Sequence, residues 1–376
     1  MARRQLPDLT ELAQECTRFL AGDGPRRLDD LLGQIPSDTQ LDVYGNGGVV
    51  AELEGELAEM LGKEAALFLP TGIMAQQATL RVHADHRGRT TIAFHPMCHL
   101  RTHEENAFSR LHGLSEVLAG SRFSPLDPLT LDTLGEIKEP LAALLIELPQ
   151  RDIGGYLPTW KELMSQVEWA RERGAAVHLD GARLWEAAPF YASTAHKSLA
   201  DIAGLFDTVY VSFYKGLGGI SGSCVAGERE VIDELNLWRI RHGGRPYMLW
   251  PYAASALTVL RNRPRDMATY YRRARAVARE IRAIDGLDVL PDQVRSPMMH
   301  LRFRATQKEM ETRVRDIAES EGVWTFAQPF VSEGTNLQRC EYQVGRASMA
   351  LSVDETVAII SRLAGHAPRR RRRTPA

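Results

Sequence analysis

The sequence predicts an α/β chain: a largely parallel sheet with helices on both faces, followed by a smaller α+β domain. Three observations predict it. Near-continuous apolar runs at Ala65–Leu69, Leu141–Glu147, Ala175–Leu179 and Thr208–Phe213 alternate with segments of helical period. Each of the last three runs gives way at once to a polar residue, Glu147, Asp180 and, after Tyr214, Lys215. Beyond Pro264 the pattern shifts to an Arg-rich amphipathic helix and short strands.

Residues 1–40 are polar and mixed and stand apart as an N-terminal segment. From 51 to 61, AELEGELAEML places Leu53, Leu57, Met60 and Leu61 on one helical face, and Gly62 stops the helix. Ala65–Leu69 reads as a buried strand broken at Pro70-Thr71-Gly72, with a helix from Gly72 through Val82. Pro158 opens a helix carrying Leu163, Met164, Val167 and Ala170, which stops at Gly174. A large domain over 41–265 follows from these units. After it come a helix at Tyr270–Ile284, strands at Leu287–Leu290, Met299–Phe303 and Glu341–Gly345, and two further helices. They make up a small domain over 266–366, and 367–376 form an Arg-rich disordered tail.

Composition narrows the function. The chain has 376 residues, 44% hydrophobic and 25% charged, which is globular usage without repeats. Its formal charge is −2. Removing the five arginines Arg369–Arg373 from 46 basic against 48 acidic residues leaves −7, so the body is acidic and a poor general nucleic-acid binder. Only the Arg tail offers a basic surface, and it reads as a solubilising extension. Cys16, Cys98, Cys224 and Cys340 are too few and too scattered for a disulfide framework, so they read as buried small hydrophobes in a reducing, cytoplasmic setting. The start, MARRQLPDLTEL, has no long apolar stretch, and LAALLI at 141–146 is far short of the ~18 residues of a membrane span, so neither a secretory signal nor a membrane partner is expected.

Ligands of open parallel sheets bind outside the carboxyl ends of the strands, so Glu147, Asp180 and Lys215 look into one crevice. A lysine there can capture a carbonyl, and a carboxylate can hold a protonated ring nitrogen. Thr71-Gly72-Ile73, opening a helix, offers free backbone N–H groups to a phosphate. Together these describe a site for pyridoxal 5'-phosphate. Singly, each is ordinary: a solvated lysine, a capping aspartate, a plain helix start. For Glu147 a helix cap is as good a reading as a catalytic one.

Asp42-Val43-Tyr44-Gly45, Pro70-Thr71-Gly72-Ile73-Met74, His178-Leu179-Asp180-Gly181-Ala182-Arg183-Leu184 and Lys215-Gly216-Leu217-Gly218 resemble motifs of the low-specificity threonine aldolase and β-eliminating lyase family. The resemblance runs from about Asp42 to Ala256 and weakens through the C-terminal domain. It implies a fold-type-I pyridoxal-phosphate enzyme with a mostly parallel, seven-stranded sheet in the large domain. Lys215 would carry the cofactor carbonyl and Asp180 would pair with the ring nitrogen. Thr71, Gly72, Ile73 and Ser212 would receive the phosphate, and His99 would stack on the ring and face the substrate hydroxyl. Arg183 would lie at the cofactor and hold the substrate carboxylate, with Arg346, in Val344-Gly345-Arg346-Ala347, as a second carboxylate contact. No metal is implied.

The implied reaction cleaves the Cα–Cβ bond of a β-hydroxy-α-amino acid to glycine and an aldehyde. β-Elimination, transamination, racemisation and a non-catalytic cofactor-binding role remain as alternatives. A homodimer or homotetramer is expected. Arg239 and Arg245, flanking His242-Gly243-Gly244, read equally as phosphate contacts of a neighbouring subunit or as a basic helix end. The chain departs from the family where substrate should sit. Ser37-Asp38-Thr39 stands too close to Asp42 to match the family's opening serine motif. Ile73 replaces a hydroxyl residue, Tyr214 replaces the serine before the lysine, and Glu147-Leu148-Pro149-Gln150-Arg151 replaces a more polar strand end. Bulky β-hydroxy amino acids are therefore expected to be better substrates than threonine.

Overall fold

The strand that ends in Asp180 lies at the centre of the larger sheet. The structure, a computed structural model, describes residues 9–122, 124–132, 134, 139–326 and 330–366. The sheet contains β1 (Ala65–Leu69), β2 (Thr91–Phe94), β3 (Ser115–Leu118), β4 (Leu141–Glu147), β5 (Ala176–Gly181), β6 (Thr208–Ser212) and β7 (Ser223–Gly227). Their order is β1-β7-β6-β5-β4-β2-β3. Strands β3, β2, β4, β5 and β6 run parallel, and β7 is antiparallel to both β6 and β1. Six of the seven strands are almost wholly buried, and four of them, β1, β4, β5 and β6, are the unbroken apolar runs of the sequence. The expectation of a mostly parallel, seven-stranded sheet is met. The antiparallel strand arises because β7 follows β6 after a short turn that leaves no room for a crossover helix.

Helices cover this sheet. Helix α1 (Gly48–Leu61) buries Leu53, Leu57 and Leu61 and ends on Gly62 in the left-handed region, φ 62°. Helix α2 (Gly72–Arg87) starts at an extended Thr71, whose side chain accepts the Met74 N–H, and ends on Gly88, φ 58°. It runs five residues past the expected Val82. Its Ala75, Ala78 and Val82 pack with Leu67, Leu69, Tyr210 and Val225. This apolar face presses the helix start onto the carboxyl end of the sheet. Helix α3 (His99–Thr102) is a single turn after β2, and α4 (Trp160–Glu172) begins at a Thr159–Glu162 capping box. Helices α5 (Leu184–Ala195), α6 (Arg229–Arg241) and α7 (Trp250–Asn262) complete the layer.

The chain divides into two compact units, Arg27–Met267 and, among the described residues, 9–26 with 268–366. Residues 1–40, expected to stand apart, are thus divided between the two. In the second unit Arg18 and Phe19 pair in parallel with Val323 and Trp324, and Gly22 bridges Val344. In the first, Gln34 Nε2 donates to the Gly218 carbonyl at 3.1 Å.

The second unit carries an antiparallel sheet of β8 (Leu287–Leu290), β9 (Met298–Phe303), β10 (Val331–Gly334) and β11 (Leu337–Gln343), ordered β10-β11-β9-β8. Helices α8 (Met267–Ile281), α9 (Gln307–Glu321) and α10 (Val353–Leu363) accompany it. Arg369–Arg373 and the expected disordered tail lie outside the described residues. No described helix is long and apolar enough to cross a membrane.

Candidate active site

Parallel register puts Glu147 directly beside Asp180, and Asp180 beside Tyr210, at the carboxyl ends of β4, β5 and β6. Lys215 follows three residues after β6, with its Nζ 5.0 Å from the centre of the Tyr214 ring. Asp180 is buried and accepts the Ala182 N–H at 3.1 Å. Burial pushes its carboxyl pKa up, while the charges of His99, Arg183 and Lys215 pull it down. Four residues from three separate stretches of the sequence therefore share one electrostatic environment.

His99 opens the one-turn α3. Its backbone N–H donates to Glu147 Oε2 at 3.1 Å, and Glu147 Oε1 accepts the Arg151 N–H at 3.0 Å. Glu147 thus caps two chain turns. Burial beside the Asp180 charge raises its pKa strongly. The His99 ring is held at Nδ1, 2.9 Å from Glu104 Oε1, and Glu104 Oε2 accepts from Gln77 Nε2 at 3.3 Å. The neighbouring histidines have other hydrogen-bond partners: His103 faces Asp152 at 3.2 Å, and buried His95 meets the Ser124 carbonyl at 2.7 Å.

At the start of α2, the first intrahelical bond runs from the Ala75 N–H to the Thr71 carbonyl, which leaves the Gly72 and Ile73 N–H groups ahead of it. A methyl group on Gly72 would sit 2.1 Å from the Tyr210 hydroxyl, so only glycine fits against that ring. Ser212, fully buried, shares a strand face with Tyr210. The Asp42 carboxylate, also fully buried, accepts N–H groups of Gly45, Leu249 and Trp250 at 2.7 to 2.9 Å. It ties the Val43-Tyr44-Gly45 loop to the start of α7.

Arg239 is 1% exposed and donates from Nη1 to the Phe68 carbonyl at 2.9 Å. Its partner charge is Glu54, whose pKa burial lifts to about 7. Buried inside its own unit, it is a core cation. Arg245 donates from Nε to the Tyr44 carbonyl at 2.7 Å.

Arg183, just before α5, has its Nε 3.8 Å from Glu186 Oε1, and that buried Nε makes no hydrogen bond. Arg346 belongs to the other unit, where its backbone N–H donates to Asp23 Oδ1 at 2.6 Å and its side chain is exposed. Lys215, Asp180, His99 and Arg183 are brought together in the first unit, as are Gly72, Tyr210 and Ser212 at the helix start.

Sequence reasoning missed Glu104, Gln77 and Tyr210. Glu104 stands in the polar run His103-Glu104-Glu105-Asn106, which looks like a solvated loop. Its one sequence signal is its place five residues after His99. Among the described residues no cluster of three or more metal-ligating side chains occurs, and all four cysteines are buried and unpaired.

Comparison with known proteins shows the family and the fold. The beta-eliminating lyase family model matches residues 34–304. The chain is 35% identical to a solved protein of Listeria monocytogenes described as a candidate L-allo-threonine aldolase. That likeness has a TM-score of 0.88 and spans 95% of this chain and 98% of the other. A solved Exiguobacterium protein described as a candidate aromatic amino acid beta-eliminating lyase/threonine aldolase shows 34% identity and a TM-score of 0.87, over 94% and 99% of the two chains. The low-specificity L-threonine aldolase 1 of Arabidopsis thaliana is 26% identical over 81% of this chain and 86% of its own length. With the strand-end constellation and the fold both in place, this protein belongs to the beta-eliminating lyase family and is a fold-type-I lyase of the pyridoxal-phosphate-dependent class.

Proposed function

We propose that this chain cleaves the Cα–Cβ bond of β-hydroxy-α-amino acids, releasing glycine and an aldehyde, with pyridoxal phosphate as its cofactor. The observation that carries the reading is that the charges of His99, Arg183 and Lys215 all act on buried Asp180. The donor set fits the cofactor. Asp180 is a buried carboxylate whose pKa is raised, so a cationic ring N–H would relieve its desolvation. Gly72 leaves a side-chain-free helix start with its first N–H groups ahead of the helical bonds, suited to a phosphate. Lys215 supplies the amine, and the orphaned Arg183 Nε waits for an acceptor such as a carboxylate.

When bound, pyridoxal phosphate supplies a protonated ring that takes up the electron pair left by a bond breaking at Cα. Asp180 keeps the proton on the ring nitrogen. Arg183 would hold the substrate α-carboxylate through its planar fork. His99 takes the β-hydroxyl proton at Nε2, the ring atom not committed to Glu104. Ser212 and Thr71 belong to the phosphate end.

Purified protein loaded with pyridoxal phosphate should turn threonine and phenylserine into glycine and the matching aldehyde. Phenylserine should be preferred, since half-buried Tyr214 replaces a small polar residue. Keto acid and ammonia without glycine would overturn the reading in favour of elimination or transamination. Lys215→Ala should lose both the visible absorbance of the bound cofactor and all turnover.

The same reading extends to assembly as a homodimer or homotetramer. Val43, Tyr44, Tyr247 and Met248 are exposed apolar side chains. The Tyr44 and Tyr247 rings meet edge-on at 5.2 Å, so these residues form one patch beside the Asp42 anchor. Light scattering that finds a fully active monomer would refute it.

A further inference from the structure

Glu104 is 2% exposed, yet it follows a one-turn helix within a run of polar residues. The chain turns sharply to bury it. Glu105 and Asn106 both adopt left-handed backbone, φ 52° and 57°, before the next helix begins at Ala107. Neither is glycine, and for Glu105 the Cβ crowds the following carbonyl in that conformation. Strain of this kind persists where surrounding contacts over-determine it. Here the contacts are those of the Glu104 carboxylate, with Oε1 2.9 Å from His99 Nδ1 and Oε2 3.3 Å from Gln77 Nε2. Gln77 sits in the second turn of α2, the helix whose start offers the phosphate site.

An ionised carboxylate can only accept, so the proton between the two residues belongs to Nδ1 and the lone pair of the neutral ring to Nε2. We infer that Glu104 is a positioning residue for proton transfer: through Nδ1 it fixes the His99 ring and tautomer and makes Nε2 the atom that accepts the substrate proton. This rests on the lyase reading for the identity of that proton, but the Glu104–His99 pair stands on its own geometry. Supporting it, the His99 pKa lies above its ordinary value although burial opposes this. Glu104 contributes most to the rise, with Asp180 and Glu147 adding to it. The other ring facing His99 is His103, 5.0 Å away. Burial raises the Glu104 pKa and the Asp180 charge adds to the rise, while the bonds from His99 and Gln77 favour the ionised carboxylate; Tyr210 and Tyr214 feel the Glu104 charge from the β6 end.

The test is NMR of the histidine rings in isotope-labelled protein carrying its cofactor, with the His99 signal assigned by its loss in His99→Asn. The wild-type ring should show the Nδ1–H tautomer when neutral and titrate above the ordinary ~6.5. Glu104→Gln should lower that midpoint by about one unit, a tenfold loss of proton affinity. The acid limb of kcat/KM should move with it. In the same variant kcat should fall ~10–100-fold with KM little changed, and this loss should vanish in the His99→Asn background. An unmoved midpoint, or equal losses on both backgrounds, would show Glu104 to be merely structural. The Nε2–H tautomer in the wild-type protein would overturn the inference even if Glu104→Gln failed to fold. Failure of the lyase reading would instead appear as absent glycine, with the ring titration unaffected.

Discussion

Two histidine sites in the same unit show how one side chain acquires opposite roles. His99 opens the one-turn α3 with a buried carboxylate on Nδ1, and its pKa is raised. His178 and His83 lie deeper, both against the Thr208 hydroxyl at 2.8 Å, and His178 Nε2 meets Gln76 Oε1 at 2.6 Å. Burial with only neutral partners drops both pKa values to about 3. Adjacent residues of α2, Gln76 and Gln77, serve the two sites. The difference is the partner's charge: a carboxylate keeps a proton available for chemistry, whereas a hydroxyl and an amide fix a neutral ring as a packing element.

The sharpest break of this comparison is His99→Asn. Loss of the proton acceptor should lower kcat by ~10²–10⁴-fold while the melting temperature and cofactor absorbance stay near wild type. A variant with normal turnover would move His99 into the structural class.

Thr208→Val tests the other side. It removes the hydroxyl shared by His178 and His83, leaving two buried ring nitrogens without a partner, at roughly 1–3 kcal/mol each. Denaturant unfolding should show the loss, with kcat within a few-fold of wild type. A large kinetic defect with unchanged stability would place His178 among the chemical groups.

Acidity separates the sites by sign. For His178 and His83 the folded pKa of about 3 lies below the unfolded value near 6.5, so their contribution to stability is whole above pH 6.5 and is lost as pH falls toward 3. Each ring removes about 1.4 kcal/mol per pH unit across that window. His99 runs the other way: its folded pKa is raised, so its contribution is whole below about pH 6.5 and fades as pH rises through the folded value. Melting temperature should therefore fall by roughly 2–5 °C from pH 6.5 to 5.5. A flat profile there would mean that the two buried rings titrate normally.

Much of the site was legible in the chain because its parts are local. Runs of apolar residues announce buried parallel strands, and a polar residue at the end of each stands at the crevice without long-range information. Thr71 announces a helix start by itself, since its side chain bonds a backbone group three residues on. The short strands Thr91–Phe94 and Ser115–Leu118 escaped because four residues carry little pattern, and Ser223–Gly227 because an antiparallel partner follows its neighbour without a helix.

What the sequence by itself determined is which residues end the strands and open α2, because backbone preference and alternation of hydrophobicity act over a few positions. Only the tertiary structure decided that His99 faces a buried carboxylate, that this carboxylate is Glu104, that Arg239 is a core cation, and that residues 9–26 join the C-terminal unit. Those outcomes depend on groups up to hundreds of residues apart sharing one low-dielectric environment. There the charge of a neighbour, rather than the residue type, sets whether a side chain carries a proton.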